Sequence, residues 1–313
     1  MNLTLSQIRE FTFGALTVAE HEDGLHFARY TQTQIEAFRS HDEILVSRAK
    51  STCGVRIDFH TDSKNLTVCV GRAGKYEVLV DDLTAYAQQL DRPCSFTVPL
   101  GAGTKRVTII LPSHAPGVIQ SIELDDKATA TAHRYSKKLA FYGDSITQGW
   151  ECEKDSQSFA WLTSRFYDAD SMILGVGRAQ FYPNTLEDVG FEADAVIVAL
   201  GTNDFSDNHS MDRIRSDCAE YLSRLSLIYP GKPIFCITPI WRADEAIAKA
   251  GGLIEDAREV IREEAEKHNA IVIDGLAMVP HRCEYFADAV IHPNDLGFAL
   301  YAQNLIKTLS NHL

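Results

Sequence analysis

Two rhythms of apolar and polar positions divide the chain. From about Gly24 to Ala130 the runs are short and alternating: "VRIDFHT" (55–61), "LTVCVG" (66–71), "YEVLVDD" (76–82), "SFTVPL" (95–100), "RVTIILP" (106–112) and "GVIQSIEL" (117–124). Period-two alternation predicts strands, and turn-rich pieces such as "TDSKN", "GRAGK" and "GAGT" separate them. A sheet this large must bury one face. With almost no helical spacing nearby, the expected partner is a second sheet, giving an all-β sandwich of jelly-roll type.

After about Ala130 the rhythm changes. "KLAFYG", "SMILGVG" (171–177), "DAVIVALG" (194–201), "KPIFCITPIW" (232–241) and "AIVIDG" (270–275) read as strands, the third nearly all apolar, as for a strand covered on both faces. Between them "SQSFAWLTSRFYD" (156–168) and "MDRIRSDCAEYLSRLSLIYP" (211–230) have helical spacing. So does "DEAIAKAGGLIEDAREVIREEAEKHN" (244–269), with Gly251-Gly252 marking a kink or a break, and "PNDLGFALYAQNLIKTLSNHL" (293–313) closes the chain as a helix. Alternating strand and helix predicts a parallel sheet with helices on both faces. The polar piece "DDKATATAHRYSKK" (125–138) serves as the junction, so the expected domains are 1–130 and 131–313.

In a parallel sheet all carboxyl ends share one edge, where ligands bind. Ser145 follows the first strand of the second half, Gly175 and Gly177 the second, Gly201-Thr202-Asn203-Asp204 the third, and Thr238-Pro239-Ile240-Trp241 the fourth. These groups can therefore converge. A serine hydroxyl needs a base, and "ADAVIHPNDLGF" (287–298) supplies His292 before the last helix. Asn203 offers an amide N–H, and a glycine near a strand end lets a backbone N–H approach the same spot. Nucleophile, base and oxyanion donors are the inventory for acyl transfer to water.

Composition removes other classes. A formal charge of -13 disfavours nucleic acid and an anionic membrane surface as partners. Seven dispersed cysteines without C-x-x-C spacing argue against a disulfide scaffold or a zinc cluster and for a reducing compartment. The histidines show no metal spacing, and His281 with Cys283 and Glu284 lacks a second cluster. The N-terminal residues do not read as a signal peptide, so the expected location is cytoplasmic. Nothing in the pattern sets an oligomeric state.

"FYGDSITQG", "LGTND" and "HPNDLG", in this order, resemble the SGNH hydrolase superfamily, also called GDSL esterases, over about residues 137–313. The resemblance implies a flavodoxin-like three-layer α/β/α fold, Ser145 as nucleophile and His292 as base. It implies oxyanion donors from the Ser145 N–H, a glycine of the second block and the Asn203 side chain. The sequence departs from the pattern twice. The acid usually found three residues before the histidine is Ala289 here, and the nearest is Asp288, four before. Either a one-residue bulge presents Asp288 to the imidazole, or a main-chain carbonyl orients a Ser–His dyad. In the blurred second block, "SMILGVGRAQ", Gly177 is the chosen donor, with Arg178 as the alternative. A sandwich before such a domain is similar to carbohydrate esterase family two, whose members remove acetyl groups from sugars.

The resulting expectation is a serine esterase for short acyl groups on a sugar, working without a cofactor or metal on a small acylated substrate. Rivals are a lipase or thioesterase for longer chains and an inert carbohydrate-binding protein. Arg178 and Trp241 are candidate pocket residues. Asp144 and Asp204 are expected to hold loops by accepting backbone N–H bonds, and Asp295 to sit in the first turn of the last helix.

Overall fold

The computed structural model describes residues 1–249 and 251–313. It divides into two compact units. The first holds Met1–Thr31, Lys50–Tyr135 and Lys154–Ser156; the second holds Gln32–Ala49, Ser136–Glu153 and Gln157–Leu313.

The first unit is two antiparallel sheets. One runs Thr12–Phe13, Arg56–Thr61, Lys105–Ile110, Gly74–Val80, Leu83–Leu90, with Ala130–Ala132 pairing on Arg56–Thr61. The other runs Thr17–His21, Gly24–Ala28, Val118–Leu124, Asn65–Val70, Cys94–Pro99. Alternate residues explain the packing. Ile57 and Phe59 of one sheet and Leu66, Val68 and Ile122 of the other lie fully buried in one core, closed by Ile8 and Phe11 of the helix Leu5–Phe11. This is the expected sandwich, with more strands than the sequence pattern displays. Leu83–Leu90 escapes reading because it is an edge strand, half exposed, whose apolar positions do not alternate.

The second unit carries a parallel sheet in the order Ala169–Gly175, Lys137–Gly143, Ala195–Ala199, Ile234–Ile237, Ile271–Ile273. In chain order this is 2-1-3-4-5, the flavodoxin-like arrangement. Adjacent residues of the first strand show how both faces are covered. The Phe141 ring lies 6.2 Å from Phe159, whose helix Phe159–Phe166 stacks on Tyr301 of Asp295–Leu309 at 4.1 Å. The next residue, Tyr142, points the other way and meets Tyr221 and Tyr229 at the helix Met211–Ile228. That helix is tied to Ile254–Lys267 by Arg215, which bonds Glu263 at 2.6 Å and Glu264 at 2.8 Å. The unit is a three-layer α/β/α sandwich.

Two features depart from the pattern reading. The long helix expected over 244–269 exists only as Ile254–Lys267; the Gly251-Gly252 pair ends a turn-rich approach, and Ala250 lies outside the described residues. A pair of helices, Gln32–His41 and Glu43–Ala49, sits within the stretch read as all-β and belongs to the second unit. It is fastened there by Gln34 Nε2, which donates to the Thr185 carbonyl at 2.9 Å, and by His41, stacked on Tyr182 at 3.8 Å. No helix among the described residues is long and apolar enough to cross a membrane.

Candidate active site

The strand Lys137–Gly143 runs into the short helix Ser145–Gln148, capped by Asp144, whose carboxylate accepts from the Ile146 N–H at 2.9 Å. The helix folds back over the strand ends, which explains the glycines there. A Cβ on Gly143 would stand 2.0 Å from Thr147 Oγ1, and one on Gly175 would stand 2.4 Å from the Gln148 nitrogen. Burial pushes the Asp144 carboxyl up to about 6, against the Ile146 hydrogen bond and the nearby His292.

Ser145 Oγ lies 2.9 Å from His292 Nε2, and His292 Nδ1 lies 2.7 Å from Asp288 Oδ2. Asp288 is therefore the residue facing the imidazole, and the one-residue excess over the usual spacing is absorbed at Ala289, which takes the left-handed conformation at φ 57. The other oxygen, Asp288 Oδ1, accepts the N–H groups of Val290 at 2.9 Å, Ile291 at 2.9 Å and His292 at 3.1 Å. Burial alone would raise this carboxyl. The hydrogen bonds from Val290, Ile291 and His292 outweigh it and hold the group below the usual carboxylate range.

Asn203 begins the third-strand corner after Gly201, whose φ of 108 only glycine adopts readily. Its Nδ2 donates to the Ala179 carbonyl at 3.0 Å and, over a long 3.4 Å, approaches Asp144 Oδ2. Asp204 accepts from the Phe181 N–H at 3.2 Å; burial pushes its carboxyl up to about 7. Both flanking aspartates thus brace loops. Asp295 sits in the first turn of Asp295–Leu309, behind the cap Asn294, and accepts from the Glu153 N–H at 2.9 Å.

The second block corrects one expectation. The Gly177 N–H is already used: it donates to Gln148 Oε1 at 2.7 Å. A Cβ on Gly177 would stand close to two side chains, 3.0 Å from Trp150 Nε1 and 3.1 Å from Arg48 Cδ. The next residue, Arg178, is left-handed at φ 67, and among the described residues neither its N–H nor that of Ser145 has a hydrogen-bond acceptor. The free amide of this corner is that of Arg178.

Sequence reasoning singled out Trp241 as a pocket candidate and passed over Trp150. Trp241 stacks on His281 with centroids 6.0 Å apart and on Phe286 at 5.2 Å, and its ring contacts among the described residues are with those two. The aromatic beside the imidazole is Trp150, with its centroid 6.4 Å from that of His292 and the Arg48 guanidinium 5.0 Å above it. Trp150 Nε1 also donates to Gln148 Oε1 at 3.3 Å. Its position two residues beyond Gln148 in the first block was the available signal. The Arg178 side chain reaches Asp42 at 3.7 Å and Asp207 at 3.6 Å, at a cavity of about 220 Å³. No group of three or more metal-ligating side chains occurs among the described residues.

Comparison with known proteins bears on the family and the fold. The model of the GDSL-like lipase/acylhydrolase family matches residues 141–300. No curated protein sequence matches the chain. Among solved structures, a salicylyl-acyltransferase from a tetracycline biosynthetic pathway superposes with a TM-score of 0.81 at 23% identity, over 96% of this chain and 94% of its own. A family two carbohydrate esterase from Cellvibrio japonicus gives 0.69 at 18% identity, over 96% and 94%. An acetyl xylan esterase from Butyrivibrio proteoclasticus gives 0.61 at 17% identity, over 82% and 90%. At these identities the likenesses speak for the fold. The family match covers more than half of the 313 residues, from the strand before Ser145 to the helix after His292, and on that ground the chain belongs to the GDSL-like lipase/acylhydrolase family.

Proposed function

We propose that the protein is a serine esterase that removes short acyl groups, acetyl foremost, from a hydroxylated carbohydrate-like alcohol by way of an acyl-enzyme. The observation that carries the proposal is the unbroken relay from Ser145 Oγ through both nitrogens of His292 to Asp288, at 2.9 Å and 2.7 Å. In this reading His292 Nε2 takes the Ser145 proton as Oγ attacks the ester carbonyl, and Asp288 holds the tautomer that leaves Nε2 free to accept it. The tetrahedral oxyanion is held by the N–H groups of Ser145 and Arg178 and by Asn203 Nδ2, whose long contact with Asp144 is the weakest bond to exchange. The imidazolium then protonates the departing alcohol. Water, deprotonated by the same imidazole, releases the acid and restores the serine.

An inert carbohydrate-binding protein would have no use for an assembled relay, so the intact triad weighs against that reading. The expected location remains cytoplasmic. The test is hydrolysis of p-nitrophenyl acetate. Wild type turns over and Ser145→Ala does not, although it melts at the same temperature. Wild type incorporates a fluorophosphonate at Ser145. Turnover by Ser145→Ala comparable to wild type refutes the proposal, and an acyl series from two to twelve carbons that peaks at the long end refutes the short-chain preference.

A further inference from the structure

The serine-esterase reading leaves one built feature unused: the cavity of about 220 Å³ beside Arg178. Its place ties it to the reaction. Arg178 contributes its side chain to the wall and its unpaired N–H to the oxyanion corner. Gln180, another wall residue, bonds Asp207 Oδ2 at 2.7 Å and approaches the Asn203 carbonyl at 3.5 Å. The opposite wall comes from the corner between the helices Gln32–His41 and Glu43–Ala49, through His41 and Asp42.

We propose that this cavity is the subsite for the alcohol part of the ester, and that it takes one neutral, polyhydroxylated ring. This inference rests on the esterase reading for its role and on the wall chemistry for its ligand. The charges balance: Asp42 and Asp207 face Arg178 and Arg213. An anion would meet two carboxylates and a cation two guanidiniums, so neither gains a net field. Hydroxyl groups, which donate and accept, can satisfy both kinds of wall. The Arg178 guanidinium stands 3.6–3.7 Å from its two carboxylates, too far for good hydrogen bonds, so inserted hydroxyls need break none. Among the described lining residues Leu45 alone is aliphatic, so an alkyl chain would bury polar groups unpaired. At about 220 Å³ the cavity has room for a single ring. The helical pair, an insertion in the β-rich part of the sequence, thus acts as a specificity element of the second unit.

The test separates binding from hydrolysis. Saturation-transfer NMR and calorimetric titration are run with methyl glucopyranoside, methyl xylopyranoside, sodium benzoate and octanoate on wild type, Asp42→Ala and Asp207→Ala, with melting curves as the check on folding. At least one glycoside binds wild type and weakens by about tenfold or more in each variant, as expected for losing a charged hydrogen-bond partner. With acetylated methyl glycosides the same variants raise KM more than they lower kcat. Asp42→Asn and Asp207→Asn stand in should an alanine variant fail to fold, with the same direction and a smaller loss. No glycoside binding to wild type, binding unaltered by the substitutions, or preference for benzoate or octanoate overturns the inference. Failure to hydrolyse p-nitrophenyl acetate refutes the esterase reading instead, and the binding arms answer for the cavity either way.

Discussion

Replacing Asp288 by asparagine changes one atom and reverses one hydrogen bond. Three backbone N–H groups, of Val290, Ile291 and His292, point at Asp288 Oδ1. Turning the amide nitrogen toward them would set donor against three donors, so the asparagine keeps its oxygen there and its NH2 faces His292 Nδ1. Nδ1 can then only accept. The imidazole must move its proton to Nε2, the atom 2.9 Å from Ser145 Oγ, and an Nε2–H cannot receive the serine proton. In a buried triad the equivalent change costs ~10⁴ in turnover. Here the Asp288 side chain is 32% exposed and that of His292 18%, so water softens the penalty. The expected loss is about 10²–10³ in kcat, or about 2.7–4 kcal/mol of transition-state stabilisation. Steady-state hydrolysis of p-nitrophenyl acetate from roughly pH 6 to pH 9 reads it, together with the rate of fluorophosphonate labelling. Because the three loop bonds survive, the melting temperature should hardly move. A fall in kcat under about threefold would show that the imidazole is oriented without Asp288, and the relay argument would be wrong.

Asn203→Ala should lower kcat by about 10²–10³, as for a single oxyanion donor; a loss under about threefold takes Asn203 out of the hole. Gln148→Ala leaves the buried Gly177 N–H unpaired, costs about 1–3 kcal/mol of stability, and lets the Arg178 amide drift. A fall of about tenfold in kcat with little change in KM is expected, and an unchanged kcat contradicts the assignment of the Arg178 N–H. Asp204 links stability to pH. Its folded value of about 7 lies above the ordinary 3.8, so the folded state holds a proton the unfolded chain has released. The stability that Asp204 contributes is full below about pH 4 and declines as pH rises toward 7. Asp204→Asn, which keeps the oxygen facing the Phe181 N–H, should flatten that decline in melting curves between roughly pH 5 and pH 8; an unaltered slope refutes the linkage.

The parallel sheet is legible in the sequence because strands covered on both faces are uninterrupted apolar runs; Ser145 and Asn203 are legible as candidates because each follows such a run, and His292 because it stands just before the last helix. Other features lie beyond what residue types encode. Gly177 reads as the donor because glycine permits close approach, yet its hydrogen atom is spent on Gln148, and the free N–H belongs to an arginine held left-handed. The helices Gln32–His41 and Glu43–Ala49 do carry a signal, since Ile35, Phe38, Leu45, Val46 and Ala49 are buried at helical spacing. They are overlooked because the alternating stretches on either side set the expectation. Trp150 and Arg48 come together from different segments, and a sequence holds no record of that pairing.

Ala289 shows how a departure from a familiar spacing can preserve chemistry. Alanine gains nothing in the left-handed region and ordinarily costs about 1–2 kcal/mol there, so local preference does not select φ 57. The selection comes from Asp288 Oδ1, which gathers three successive N–H groups and thereby curls the loop until residue 292 lies under Oδ2. A single carboxylate both shapes the turn and uses it. The extra residue is tolerated because the group that needs the imidazole in place is the same group that pulls it there, and a main-chain carbonyl, with no second oxygen to bind the loop, could not have done both.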